Sequence, residues 1–248
     1  MATGLSIKKK KIEELVGENY VFAAVLHYFG IEFYNFSNQT LEQVCKEKGL
    51  DSQKVISQLE SLANQDVNDL QLEQYPIELI IEYLKHTHQI FVKQRLPYIA
   101  GLIQSFEPED IQLVQIAKDL KFVFPMFVQE FIYHLYEEED TLFNYIHELN
   151  KNKADYTIFN LLEANSIQKY AHDHHTHDDE MEGIKAITSN YDSQSVKDLH
   201  LKVIYSELSQ FEKELRLHAR IENEILFPKA LQLEKNAASS IHKKIGLN

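Results

Sequence analysis

The chain has 248 residues and a mass of 29.0 kDa, with only 7 Gly and 5 Pro, well under the roughly one residue in eight that these two types average, which argues against sandwiches, barrels and disordered tails. Its 25 basic and 38 acidic residues leave a formal charge of −13, with a pI near 5.4; that balance disfavours nucleic acid and anionic membrane as partners, because both call for clustered Lys and Arg. The single cysteine, Cys45, makes neither an internal disulfide nor a Cys-ligated zinc or iron–sulfur site on its own, and no apolar run is long enough to span a bilayer, so a cytoplasmic chain without a signal peptide is expected.

Lys8, Lys9, Lys10 and Lys11 read as a solvated helix start. Helical spacing then covers Glu13–Gly30 and stops at Gly30. Thr40 is placed to cap a short helix with Gln43 three residues on, ending at Gly49. Asp51 is placed to cap another that runs to about Leu62, with Val55, Ile56, Leu59 and Leu62 on one face. Residues 1–65 therefore form a small helical N-terminal domain, and the polar stretch Asn64–Tyr75 a linker.

From Pro76 the pattern changes to four long helices. The first runs to about Phe106 with a kink at Pro97, the second from Pro108 to about Leu149 with an interruption at Pro125. The third runs from about Asp155 to Tyr191 and the fourth from about Ser195 to Leu233. Long helices with short connections pack most economically as an up-down-up-down four-helix bundle. The fold class is all-α, with this bundle over residues 76–235.

The chemistry lies in a repeat. His134-Leu-Tyr-Glu-Glu138-Glu-Asp-Thr-Leu142-Phe143 and His218-Ala-Arg-Ile-Glu222-Asn-Glu-Ile-Leu226-Phe227 both read H-x-x-x-E-x-x-x-L-F, and they start 84 residues apart at equivalent points of the second and fourth helices. Residues i and i+4 share a helix face, so each imidazole and carboxylate can serve one metal ion or bridge two. On the first helix, His88 precedes Leu96 by 8 residues, the offset of His134 to Leu142 and of His218 to Leu226, which favours His88 over His86. The third helix offers His172, His174, His175 and His177, and spacing leaves that choice open. Four imidazoles with Glu138 and Glu222 exceed one tetrahedral zinc and suit two ions of higher coordination number. A thiolate-free N/O set fits iron, with manganese as the alternative. His27, His147, His200 and His242 read as structural or surface residues, and Phe122, Phe124, Phe127 and Phe131 as core packing.

These motifs resemble the iron–sulfur cluster repair di-iron proteins, which join a small N-terminal domain to a hemerythrin-like bundle. The likeness covers about residues 15 to 235. It is carried by His134, Glu138, Glu139, Leu142 and Phe143, by His218, Glu222, Asn223, Leu226, Phe227 and Pro228, and by His88 ahead of Leu96-Pro97. In the head it is carried by Phe29-Gly30-Ile31-Glu32-Phe33 and Gln39-Thr40-Leu41. The family's third-helix histidine, followed after about thirteen residues by a threonine, falls on His175 and Thr188. The resemblance implies a ligand set of His88, His134, Glu138, His175, His218 and Glu222 around two Fe ions, oxo- or carboxylate-bridged. It implies a role in cluster repair after nitrosative or oxidative damage, with NO, O2 or peroxide as the small-molecule ligand, NO-reductase-type activity and damaged iron–sulfur proteins as partners. Glu139, Asp178 and Asp179 are candidates to hydrogen-bond the ligands. Where the family usually carries a Cys-Cys pair, this chain has Tyr34 and Asn35. The head is then left for packing, homodimer formation or docking of a partner, and a carrier or sensor of O2 or NO without turnover becomes the competing function.

Overall fold

The protein is described by a computed structural model covering residues 7–62, 72–151, 160, 162, 166–175 and 181–245, less the side chains of 21, 61, 62, 172–175 and 242–245. The described residues are helices and turns, with one isolated bridge between Lys11 and Thr40. None of these helices is long and apolar enough to cross a membrane.

The helices are α1 (Ile12–Glu18), α2 (Val21–Tyr28), α3 (Leu41–Lys48), α4 (Ser52–Leu62), α5 (Ile77–Ile90), α6 (Leu96–Gln104), α7 (Ile111–Glu137), α8 (Asn144–Asn150), α9 (Ile167–His175), α10 (Glu182–Ile187), α11 (Leu199–Ile221) and α12 (Phe227–Ile245). Three π-helical turns join pairs of them: Phe91–Arg95 between α5 and α6, Glu138–Phe143 between α7 and α8, and Glu222–Leu226 between α11 and α12.

Capping follows the sequence closely. Gln43 N–H donates to Thr40 Oγ1 at 3.3 Å and Thr40 N–H returns to Gln43 Oε1 at 2.9 Å. Gln53 N–H donates to Asp51 Oδ1 at 2.9 Å at the start of α4. Gly49 ends α3 at φ 67°, a left-handed value that favours glycine.

Four expectations change. The single helix expected over Glu13–Gly30 is two, because Asn19 turns extended (φ −151°, ψ 110°) between α1 and α2. The break expected at Pro125 is absent, since α7 runs through it; Pro125 is exposed, and one missing N–H removes one bond from a ladder that the neighbouring turns maintain. At Pro97 the helix widens before the proline: Leu96 N–H bonds to Phe91 O, five residues back. The wide turn relieves the clash of the ring with the preceding turn, and Pro228 follows the third π-turn in the same way, with Phe227 N–H on Glu222 O. The last helix starts later and ends later than expected. Asp198 caps it through Leu201 N–H at 2.9 Å, and Ala230, Ala237 and Ile241 carry a buried face toward Ile245. Much of the expected linker and third helix lies outside the described residues.

The chain divides into two compact units. The first takes residues 1–69, 97–121 and 185–211. In it the head helices bury Ile12, Leu15, Val16, Leu26, Leu41, Val44, Val55, Ile56 and Leu59. His200 Nε2–H donates to Leu102 O across 2.9 Å, and its ring stacks on Tyr34 with centroids 4.8 Å apart. Asn35, beside Tyr34, donates from Nδ2 to Glu32 at 3.0 Å. Cys45 is buried, and burial pushes its thiol above the ordinary range, with Asp51 adding to the effect.

The second unit takes residues 70–96, 122–184 and 212–248. Here four helical stretches share one apolar core, formed by Ile77, Ile80, Ile81 and Leu84, by Leu142, Phe143, Tyr145, Ile146 and Leu149, by Ile167, and by Ile221, Leu226, Phe227, Ala230, Ala237 and Ile241. This is the four-helix bundle expected from the spacing. Glu234 pins three of its helices together. It accepts the Tyr145 hydroxyl at 2.7 Å and the Ile167 backbone N–H at 3.1 Å. Burial and that carboxylate push the Tyr145 phenol far above its usual range. Phe124, Phe127 and Phe131 are buried as expected, whereas Phe122 is 71% exposed. Two residues along a helix turn about 200°, so Phe122 could not share the face of Phe124.

Candidate metal centre

Each copy of the repeat places its histidine one turn before a π-turn and its glutamate at that turn's first residue. His134 Nε2 lies 3.1 Å from Glu138 Oε1, and His218 Nε2 lies 3.3 Å from Glu222 Oε1. Glu138 opens the turn Glu138–Phe143 and Glu222 the turn Glu222–Leu226. The Leu-Phe pairs are buried in the core at the far end of each turn. On the first helix, His88 sits three residues before the π-turn Phe91–Arg95, with Leu96 directly after it. The shared offset to leucine therefore marks a shared backbone device. A π-turn inserts one extra residue into the helix and is frequent at functional sites. Sequence reasoning did not find it, because a constant offset between histidine and leucine does not tell a wide turn from a regular one.

Four of the expected ligands converge. His88, Glu138, His218 and Glu222 each offer one atom, and those atoms all lie within 4.8 Å of one another. All four are buried, at 2%, 6%, 5% and 0% exposure respectively. His88 Nε2 is 3.2 Å from His218 Nε2 and 3.6 Å from Glu138 Oε2. Burial and the neighbouring His218 hold His88 below the ordinary imidazole range, against the pull of Glu138, Glu139 and Glu222. His88 is thus neutral near pH 7, the form that binds metal.

The other expected residues stand as follows. His134 is beside Glu138 and partly exposed. His175 is the last residue of α9, and its side chain lies outside the described residues, as do those of His172 and His174. His177, Asp178 and Asp179 lie outside them altogether. His86 is exposed. Glu139 does reach one of the four converging residues, with Oε1 2.8 Å from His88 Nδ1.

Aromatic rings close the surroundings. Phe143 stacks on His88 with centroids 5.7 Å apart and planes 18° apart, and Phe91 meets His218 edge-on at 5.7 Å. Arg95, in the first π-turn, donates from Nε to Glu214 at 2.8 Å and ties that turn to α11.

The donor chemistry fits a metal ion. Two carboxylates buried in an apolar core cost several kcal/mol each without a counter-charge. The imidazoles of His88 and His218 add nitrogen donors beside them. A divalent or trivalent cation satisfies both requirements at once, and a set of imidazole and carboxylate donors without thiolate suits iron or manganese.

Comparison with known proteins places the chain. The family described as "Hemerythrin HHE cation binding domain" matches residues 79–230. The chain belongs to that family. It is similar to the iron-sulfur cluster repair protein ScdA of Staphylococcus haemolyticus (strain JCSC1435), 21% identical over 223 residues, which span 88% of this chain and 96% of the relative. It is also similar to the iron-sulfur cluster repair protein YtfE of Yersinia pseudotuberculosis serotype IB (strain PB1/+), 22% identical over 204 residues, spanning 82% of this chain and 88% of the relative. YtfE of Yersinia pestis (strain Pestoides F) matches to the same extent, at 22% over 204 residues. These relatives bear out the family resemblance read from the motifs.

Proposed function

We propose that this hemerythrin-family chain is a non-haem di-iron protein that supports repair of damaged iron–sulfur clusters under nitrosative or oxidative stress. The observation that carries the reading is the buried quartet His88, Glu138, His218 and Glu222, whose ligand atoms lie within 4.8 Å of one another. Similarity to proteins named for cluster repair, over most of both chains, supports the biological role. In this reading His134 and His175 complete a His4Glu2 set, and damaged iron–sulfur proteins in the cytoplasm are the targets.

When bound, the two ions supply redox chemistry toward NO, O2 or peroxide. The chain's own residues do the rest. The imidazoles hold the ions in neutral form, and the two glutamates offset the metal charge. Phe91 and Phe143 keep water from the faces of His218 and His88. The test is elemental analysis of untagged protein made in iron-replete cells. Two irons per chain is the expected result. Close to zero, or one zinc, overturns the reading.

A second reading, a carrier or sensor of O2 or NO without turnover, is favoured by Tyr34 and Asn35, which leave no thiol pair to relay electrons. Tyr34 is instead engaged in a stack on His200. Assay of NO consumption with a reductant separates the two: saturable consumption supports chemistry, and reversible binding without product supports the carrier.

A further inference from the structure

We propose that Glu139 is a positioning residue that locks His88 in the tautomer whose Nε2 lone pair faces the metal ligands. The consequence for iron rests on the di-iron reading above; the consequence for the tautomer does not. Consecutive carboxylates flank His88: Glu139 Oε1 is hydrogen-bonded to Nδ1 at 2.8 Å, and Glu138 Oε2 stands 3.6 Å from Nε2 on the metal-ligand side. On a regular α-helix, neighbouring side chains diverge by about 100° and do not reach one ring. The π-turn that opens at Glu138 spreads the backbone there, and both carboxylates address the same imidazole.

A carboxylate oxygen accepts, so the 2.8 Å contact places a proton on His88 Nδ1, donated to Glu139 Oε1. Nε2 then carries the lone pair and faces His218 Nε2 at 3.2 Å. The stacked ring of Phe143 fixes the plane of the imidazole, which leaves the Nδ1–H to Glu139 bond to decide which nitrogen turns inward. Hydrogen-bonding the distal nitrogen of a ligand histidine to a carboxylate also raises its basicity as a donor. The second copy of the repeat has Asn223 at the equivalent position. A neutral amide there gives no comparable charge, so the two halves of the centre differ electronically.

The test uses the full chain. Long-range 15N–1H NMR of the metal-free protein reads the tautomer of His88, and competition titration with a chelator reads Fe(II) affinity. The wild type is expected to show Nδ1–H. Glu139→Ala is expected to move the proton to Nε2 and to weaken Fe(II) binding by about 10- to 100-fold. Glu139→Gln, whose amide oxygen still accepts, is expected to keep Nδ1–H and most of the affinity; it also carries the test if the alanine variant does not fold. An Nε2–H wild type, or a Glu139→Ala protein with unchanged tautomer and affinity, overturns the proposal. A wild type that shows Nδ1–H but takes up no Fe(II) would instead sink the di-iron reading and leave the positioning role standing.

Discussion

His88 and His218, 130 residues apart in sequence, bring their Nε2 atoms to 3.2 Å of each other inside the second unit. The buried carboxylates of Glu138 and Glu222 stand within 4.8 Å of both. Without metal, such a cluster sets two carboxylates in a low-dielectric interior, where ionising both opposes folding.

Glu222→Gln should therefore have opposite effects in the two states. Metal-free, the variant loses a buried charge and should gain stability, by about 1–2 kcal/mol. With Fe(II) present, the wild type should gain about 4 kcal/mol at a thousand-fold excess over Kd, and the variant little or nothing. Thermal unfolding with and without Fe(II) measures both. Equal metal stabilisation of the two proteins would show that Glu222 is not a ligand.

The metal-free protein should also lose stability in mild acid. Burial holds both His88 and His200 below their ordinary value of 6.5. The unfolded chain then binds more protons than the native one over the interval between the lowered native values and 6.5, and stability rises with pH across it. The contribution is fully present above about pH 6.5 and is lost as pH falls through the lowered values. His200→Gln, which removes one of the two groups, should flatten the slope of stability against pH between 6.5 and 5. An unchanged slope in urea titrations at several pH values would contradict this.

The two faces of α7 should differ sharply in cost. Phe124 is 1% exposed and Phe122 71% exposed. Phe124→Ala should destabilise by about 3–5 kcal/mol, in the range of large-to-small core changes. Phe122→Ala should stay within about 0.5 kcal/mol. Denaturant midpoints for the pair decide it, and similar losses would mean that the register of α7 is wrong.

Ser189, Asn190 and Tyr191 follow one another at φ 50°, 57° and 60°. Left-handed backbone costs a residue with a Cβ about 1–2 kcal/mol, and asparagine less. Ser189→Gly should stabilise the protein by up to about 1 kcal/mol, and Asn190→Gly by a few tenths, each reduced by the extra freedom that glycine has when unfolded. A loss of stability at Ser189→Gly would argue against the left-handed turn.

Much of this was legible beforehand for a physical reason. Helix caps depend on residues two or three apart, so the caps at Thr40, with Gln43, and at Asp51 could be read directly. The i, i+4 pairs His134–Glu138 and His218–Glu222 follow from helix pitch alone. The repeat made both visible. What misled was reading Pro125 as an interruption, and the kink expected at Pro97 gave no sign of the wide turn before it. Pro125 sits within an unbroken helix, and Pro97 and Pro228 follow wide turns that accommodate them. The choice of Glu139 over Asp178 and Asp179 needed a distance, because its place after Glu138 does not say which imidazole it reaches.

The sequence by itself determined the all-helical class, the helix-borne pairs and the kind of donors, since these depend on local pitch, composition and side-chain chemistry. Only the tertiary structure decided that His88 and His218 meet, that Phe122 leaves the core, and that two consecutive carboxylates flank one imidazole. Those outcomes depend on how helices far apart in the chain pack and on where a π-turn adds its extra residue, and neither is written in any short stretch of residues.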